Sequence, residues 1–213
     1  MGGGRETVGA GGAPGRRVYV ASMNASLLRA KFDAGLTYDD YLQTGKPAQK
    51  EGWEKIGREV ELTEAQKALL GAFTREIKVL VVSGIWCGDC VRQGPILQAI
   101  ADATGGKAQL RWLDRDEHMD LQEKVTINAG NRVPVVVFAA EDFEPVGWAG
   151  DKLLSRYRIM ARDTLGEGAT CPLPGAPIPA EELAAETADW VDEFERVHLL
   201  LRLSGRLRQL HGD

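Results

Sequence analysis

A cysteine pair set between an apolar run and a helix-patterned segment constrains this chain more than any other feature. Val79, Leu80, Val81 and Val82 form a continuous apolar run that ends in Ser83-Gly84-Ile85-Trp86 and then Cys87-Gly88-Asp89-Cys90. A short run of this kind, rich in β-branched residues and closed by glycine, predicts a strand buried on both faces. Beyond the pair, apolar residues recur at Ile96, Leu97, Ile100 and Ala103, a helical spacing. The two cysteines therefore fall at a strand-to-helix junction, with Cys87 nearest the helix start. Free backbone N–H groups and the positive end of the helix dipole favour a thiolate there. Two intervening residues in a first helical turn bring both sulfurs together. That arrangement suits thiol–disulfide exchange, which needs one thiolate to attack and a second thiol to resolve the mixed disulfide. Cys87 is assigned as nucleophile and Cys90, one turn in, as the resolving thiol.

These residues resemble the thioredoxin family. Trp86-Cys87-Gly88-Asp89-Cys90 is similar to its Trp-Cys-Gly-Xaa-Cys signature, and Pro95 stands where thioredoxins kink the same helix. Val133-Pro134, ahead of Val135-Val136-Val137-Phe138, resembles the family's cis-proline and the strand after it, and Gly150 fits the close of the next strand. The resemblance runs over about residues 77–165. It implies a cis Val133–Pro134 bond that brings the Val133 backbone beside the sulfurs, where an extended substrate could pair. Trp86 would cover the cysteines and offer a flat contact surface.

Two departures from the family pattern bear on chemistry. Val81 occupies the position where thioredoxins usually carry a buried acid, so the Cys90 proton needs another route. Asp89 replaces the usual proline between the cysteines. Its carboxylate disfavours a thiolate on Cys87, which predicts a less depressed thiol and a more reducing pair, with Arg92 as the candidate to offset it.

The rest of the chain divides around this stretch. Residues 1–16 are glycine-rich and read as a flexible arm. Residues 17–75 read as a helical N-terminal extension, with helices over 24–32, 37–42, 47–59 and 63–73. The second starts at a Thr37 cap with Asp40 three positions on. Residues 76–165 form the core, with strands at 77–82, 109–113, 135–139 and 145–148. The first two strands are expected to be parallel and the last two antiparallel to them. A short helix at 119–125 and a basic one at 152–165 complete it. Residues 166–179 hold several prolines and Cys171 and read as a linker. Residues 180–213 are a C-terminal helix, continuous to about 209. Its stripe Leu183, Thr187, Trp190, Phe194, Val197 and Leu201 has two readings, packing on its own domain or a seam between two copies in a homodimer. The fold class is thus α/β, a thioredoxin-like mixed sheet flanked by helices, with extra N-terminal helices and a long C-terminal one.

Composition excludes several functions. The net charge of −5 carries no basic excess, against nucleic acid as a partner. No apolar run approaches a membrane span, and the first residues do not form a secretory signal. Three cysteines make no disulfide framework, which points to a reducing, cytoplasmic setting. A zinc site would need four ligands, and Cys87, Cys90, Cys171, His118, His198 and His211 offer no second close pair. Cys171 reads as an ordinary loop thiol and the histidines as surface groups. The resemblance, which is to bacterial thioredoxin-family proteins of this helix-preceded type, implies a thiol–disulfide oxidoreductase without cofactor or metal, and the cysteine usage implies a cytoplasmic one. It would act on protein or small-molecule disulfides and be recharged by a reductase or thiol reductant. The alternatives are a non-catalytic binding module on the same scaffold, or a redox sensor.

Overall fold

β1 (Ile77–Ser83) is the strand that the sheet is built around, as its all-apolar run predicts. The fold is that of a computed structural model, which describes residues 23–165 and 177–213. The expectations for the 1–16 arm, for Cys171 and for most of the proline-rich linker lie outside the described residues. β2 (Ala108–Asp114), β3 (Val135–Ala139) and β4 (Pro145–Gly150) complete a sheet of order β2-β1-β3-β4. β2 runs parallel to β1, with Val81 opposite Trp112 and Ser83 opposite Asp114. β3 is antiparallel to β1, as expected. β4 is antiparallel to β3 and so runs with β1, which corrects the expected direction. A hairpin reverses the chain, so two strands joined by one cannot both oppose β1.

Four helices precede the sheet: α1 (Ala25–Ala34), α2 (Tyr38–Gln43), α3 (Pro47–Glu59) and α4 (Glu64–Gly71). Their starts follow their caps. Thr37 accepts from the Asp40 N–H at α2, and Thr63 and Gln66 close a reciprocal capping box at α4. Tyr41, Trp53 and Trp112 pack edge and face onto one another with centroids 5.5–5.8 Å apart, which ties α2 and α3 to β2. α5 (Gly88–Ala103) carries the cysteine pair and lies against α3 and β2. α6 (Met119–Gln122) is shorter than its sequence pattern suggests.

After α7 (Leu154–Leu165), α8 (Ala180–Leu203) returns to pack on α5 and α7. Its apolar stripe is buried within the same chain, with Trp190 and Phe194 fully enclosed. The expected helix to about 209 is interrupted. Ser204 leaves helical geometry (φ −63°, ψ 116°) and caps a separate α9 (Gly205–His211), accepting from the Leu207 N–H. His198 corrects the reading of the histidines as surface groups. It is buried, stacks on Phe73 at 4.1 Å, and its Nε2 accepts from the Thr74 N–H at 2.9 Å. His118 is half-buried, 3.2 Å from Lys31 Nζ.

Candidate active site

Cys87 is the N-cap residue of α5, with extended backbone angles (φ −84°, ψ 126°), and its carbonyl accepts the first helical hydrogen bond from Val91. Cys90 lies one turn in and is fully buried, while Cys87 is half-buried. The geometry thus makes Cys87 the accessible sulfur. Its pKa falls well below the ordinary thiol value, to about 6. The largest cause is hydrogen bonding from the Cys90 thiol, against desolvation, with further help from the Cys90 and Asp89 backbone N–H groups. Burial pushes Cys90 strongly the other way, and a charge on Cys87 adds to the rise. Two neighbouring thiols are thereby split into one that ionises readily and one held protonated.

Asp89 raises the Cys87 pKa, the direction expected of a neighbouring carboxylate, but it is the smallest of the contributions. That is the direction read from the sequence, a Cys87 thiol less depressed than the helix start alone would leave it, and hydrogen bonding from the Cys90 thiol and the backbone N–H groups still outweighs it. The expected partner of Asp89 is corrected. Asp89 pairs with Lys152 at 2.8 Å. Arg92 turns instead to α8, donating through Nε to the buried Glu186, with Glu182 at 3.3 Å. Burial raises the Glu186 pKa even against the Arg92 charge.

The Val133–Pro134 bond is cis, and the Val133 carbonyl lies 3.7 Å from Cys87 Sγ. The loop leading into β3 therefore does lie beside Cys87. Gly150 closes against the same loop. At its φ of +130°, a Cβ would stand 2.3 Å from the Pro134 carbonyl oxygen, so only glycine fits. Trp86 is half exposed, at 51%. Its ring lies close over Gly84, and the Arg115 guanidinium sits 4.9 Å from the ring centre. Gly88 is open, with no atom near the place of a Cβ, and Pro95 lies inside α5.

Sequence reading missed three neighbours. Asp151, buried beside the cis-proline loop, accepts from Tyr157 Oη at 2.5 Å, Lys152 Nζ at 3.0 Å and Arg132 Nη1 at 3.2 Å. Burial raises its pKa, but those donors overcome it and hold the carboxyl below its ordinary value. Lys152 thus bridges Asp89 and Asp151. Ser83, buried at the end of β1, works against the rise of the Cys90 pKa, and the buried Tyr41 feels the charge of both cysteines. The two-residue-periodic and helical patterns carry no signal for such long-range pairings. The absent acid at Val81 was the one hint that something else attends Cys90. Among the described residues, no group of three or more histidine, cysteine or carboxylate side chains could hold a metal.

Comparison with known proteins agrees with this fold. The chain resembles a protein of unknown function from Pseudomonas aeruginosa, with a TM-score of 0.60 at 14% identity, over 78% of this chain and 93% of that one. It also resembles an HIV epitope-scaffold protein, with a TM-score of 0.55 at 16% identity, over 78% and 97%. At such identities the likeness is one of fold. No curated protein matches the sequence. A thioredoxin family model matches residues 35–151, taking in α2–α4 as well as the cysteine helix and the sheet. By this match, over more than half its length, the chain belongs to the thioredoxin family.

Proposed function

We propose that this protein is a dithiol–disulfide oxidoreductase. The observation that carries the reading is the position of Cys87, half-buried at the N-cap of α5, with its pKa near 6 and Cys90 one turn below. The Cys87 thiolate attacks a substrate disulfide R–S–S–R′, forming Cys87–S–S–R and releasing R′–S⁻, which takes up a proton. Cys90 gives up its proton and attacks the Cys87 sulfur. R–S⁻ leaves, and Cys87 and Cys90 are joined as a disulfide. Two electrons have passed from the dithiol to the substrate, and an external thiol or reductase returns them.

The Val133 carbonyl beside Cys87 supports a docking line for an extended substrate, and Trp86, next to Cys87 in sequence, offers an exposed apolar face. The substrates in this reading are protein or small-molecule disulfides. The setting is a reducing cytoplasm, since an oxidising one would hold the pair as a disulfide. The test is reduction of insulin disulfides under a thiol reductant. Turnover that disappears in Cys87→Ser supports catalysis. Binding without turnover would leave a thioredoxin-fold binding module.

A further inference from the structure

Gln93 is a buried amide on the helix that carries both cysteines, three residues past Cys90. Packing alone favours an apolar side chain at such a position, because a buried amide costs free energy unless its ends are bonded. Both ends of Gln93 are bonded, and to distant segments. Its Oε1 accepts from Trp190 Nε1 of α8 at 3.0 Å. Its Nε2 donates to the Asp151 backbone carbonyl at 2.8 Å. These partners fix which way the amide faces, since an indole N–H only donates and a carbonyl only accepts.

The Asp151 end of this chain of bonds leads back to the cysteines. Gly150, next to Asp151, pairs with Val135 where the β3–β4 ladder ends. It lies so close to Pro134 that a Cβ would stand 2.3 Å from the Pro134 carbonyl oxygen. Val133, just before Pro134, has its carbonyl 3.7 Å from Cys87 Sγ. Cys87 starts α5, and α5 carries Gln93, so the contacts close a ring that begins and ends at Cys87. The Asp151 carboxylate is taken up by Tyr157, Lys152 and Arg132, which makes the backbone contact to Gln93 separate from the charged one through Lys152.

From this ring we infer that Gln93 is a positioning residue that holds the Val133 edge in place against Cys87 for a disulfide borne on an extended peptide. β4 is the outermost strand, so its last residues have a sheet neighbour on one side only. Gln93 supplies a second hold, and Trp190 backs it from α8. Attack on a disulfide depends on how the reacting atoms are lined up, and a peptide docked along Val133 takes its line from that edge. A small disulfide that does not dock there is indifferent to it.

The inference rests on the exchange reading proposed above and on its docking line, and one experiment separates the two. Full-length reduced protein is mixed with either of two mixed disulfides that share thionitrobenzoate as leaving group. One is built on the single cysteine of an extended peptide, the other on mercaptoethanol. The Cys87 thiolate bonds to the peptide or mercaptoethanol sulfur, and thionitrobenzoate departs with the electron pair and is read by its colour. Both rates scale with the same thiolate fraction, so their ratio is insensitive to any change in the Cys87 pKa. If the parent protein releases no thionitrobenzoate from the peptide, the exchange reading fails and the inference with it.

With that release present, Gln93→Met should lower the peptide-to-mercaptoethanol ratio about fivefold, the scale of one lost hydrogen bond. Trp190→Phe removes only the far anchor of the amide and should lower the ratio about twofold. It carries the test if Gln93→Met does not fold. Gln93→Glu at about pH 5 should keep the parent ratio, because a buried carboxyl is protonated there and donates to Asp151 as the amide does. An unchanged ratio in Gln93→Met and Trp190→Phe overturns the inference and leaves the exchange reading standing. So does an equal loss of both rates, the mark of a purely structural role, or a Gln93→Glu ratio as low as that of Gln93→Met.

Discussion

Lys152 Nζ stands 2.8 Å from the Asp89 carboxylate, within the turn that separates the two cysteines. Lys152 also holds Asp151 beside the cis-proline loop, so one ammonium group joins the nucleophile's helix to the proposed substrate-binding edge. Desolvation lowers the Lys152 pKa, but its two carboxylate partners more than reverse that, and it stays charged.

Lys152→Met should therefore raise the Cys87 pKa from about 6, because Asp89 is left uncompensated near the thiolate. The expected rise is about half a unit to one unit, a size that partial solvation of Asp89 allows. Asp89→Asn should lower the value, by less than about one unit. The pH dependence of Cys87 alkylation in the reduced protein reads both. Opposite shifts would remove Lys152 and Asp89 from the control of the nucleophile.

Arg92→Met should destabilise the fold through Glu186. That carboxylate is 2% exposed, and with Arg92 gone its nearest cation is Arg156 at 3.8 Å. Removing one partner of a buried ion pair costs about 3–5 kcal/mol. Glu186 has a raised native pKa, so its contribution to stability is complete below about 4.5 and is lost as pH rises through the native value. Acidification from neutrality should accordingly recover part of the Arg92→Met loss. Urea unfolding at several pH values checks this, and Arg92→Met combined with Glu186→Leu should regain most of the stability.

Gly94→Ala should loosen α3 from α5. A Cβ at position 94 would fall 2.0 Å from Trp53 Cζ3, in a fully buried ring that cannot swing away. Overpacking of this kind costs roughly 1–3 kcal/mol. Trp53 also donates through Nε1 to the Ile85 carbonyl, just before the cysteine pair, so thermal stability and Cys87 alkylation should both change. A stability loss without any change at Cys87 would mean that α3 does not position the site.

The strand–cysteine–helix stretch was legible because its signals are local. An apolar run, a glycine and a helical period all lie within one short segment, and the caps at Thr37 and Thr63 likewise act over three residues. Pairings between distant segments were not legible. Arg92 meets Glu186 across 94 positions, and no local pattern distinguishes that partner from Asp89, three residues away. His198 has the same origin, since its acceptor role depends on Thr74, 124 positions away between α4 and β1. The direction of β4 was readable from the hairpin alone, and the break at Ser204 from a serine followed by glycine in an otherwise apolar run.

The central claim is that Cys87 attacks and Cys90 resolves. Mass spectrometry of reduced Cys90→Ser protein after mixing with a disulfide-bonded peptide tests it most directly. The account predicts one peptide per chain, joined to Cys87, with the parent protein carrying a Cys87–Cys90 disulfide and no peptide under the same conditions. No adduct on Cys87 in Cys90→Ser, or a parent protein that retains the peptide, would contradict it.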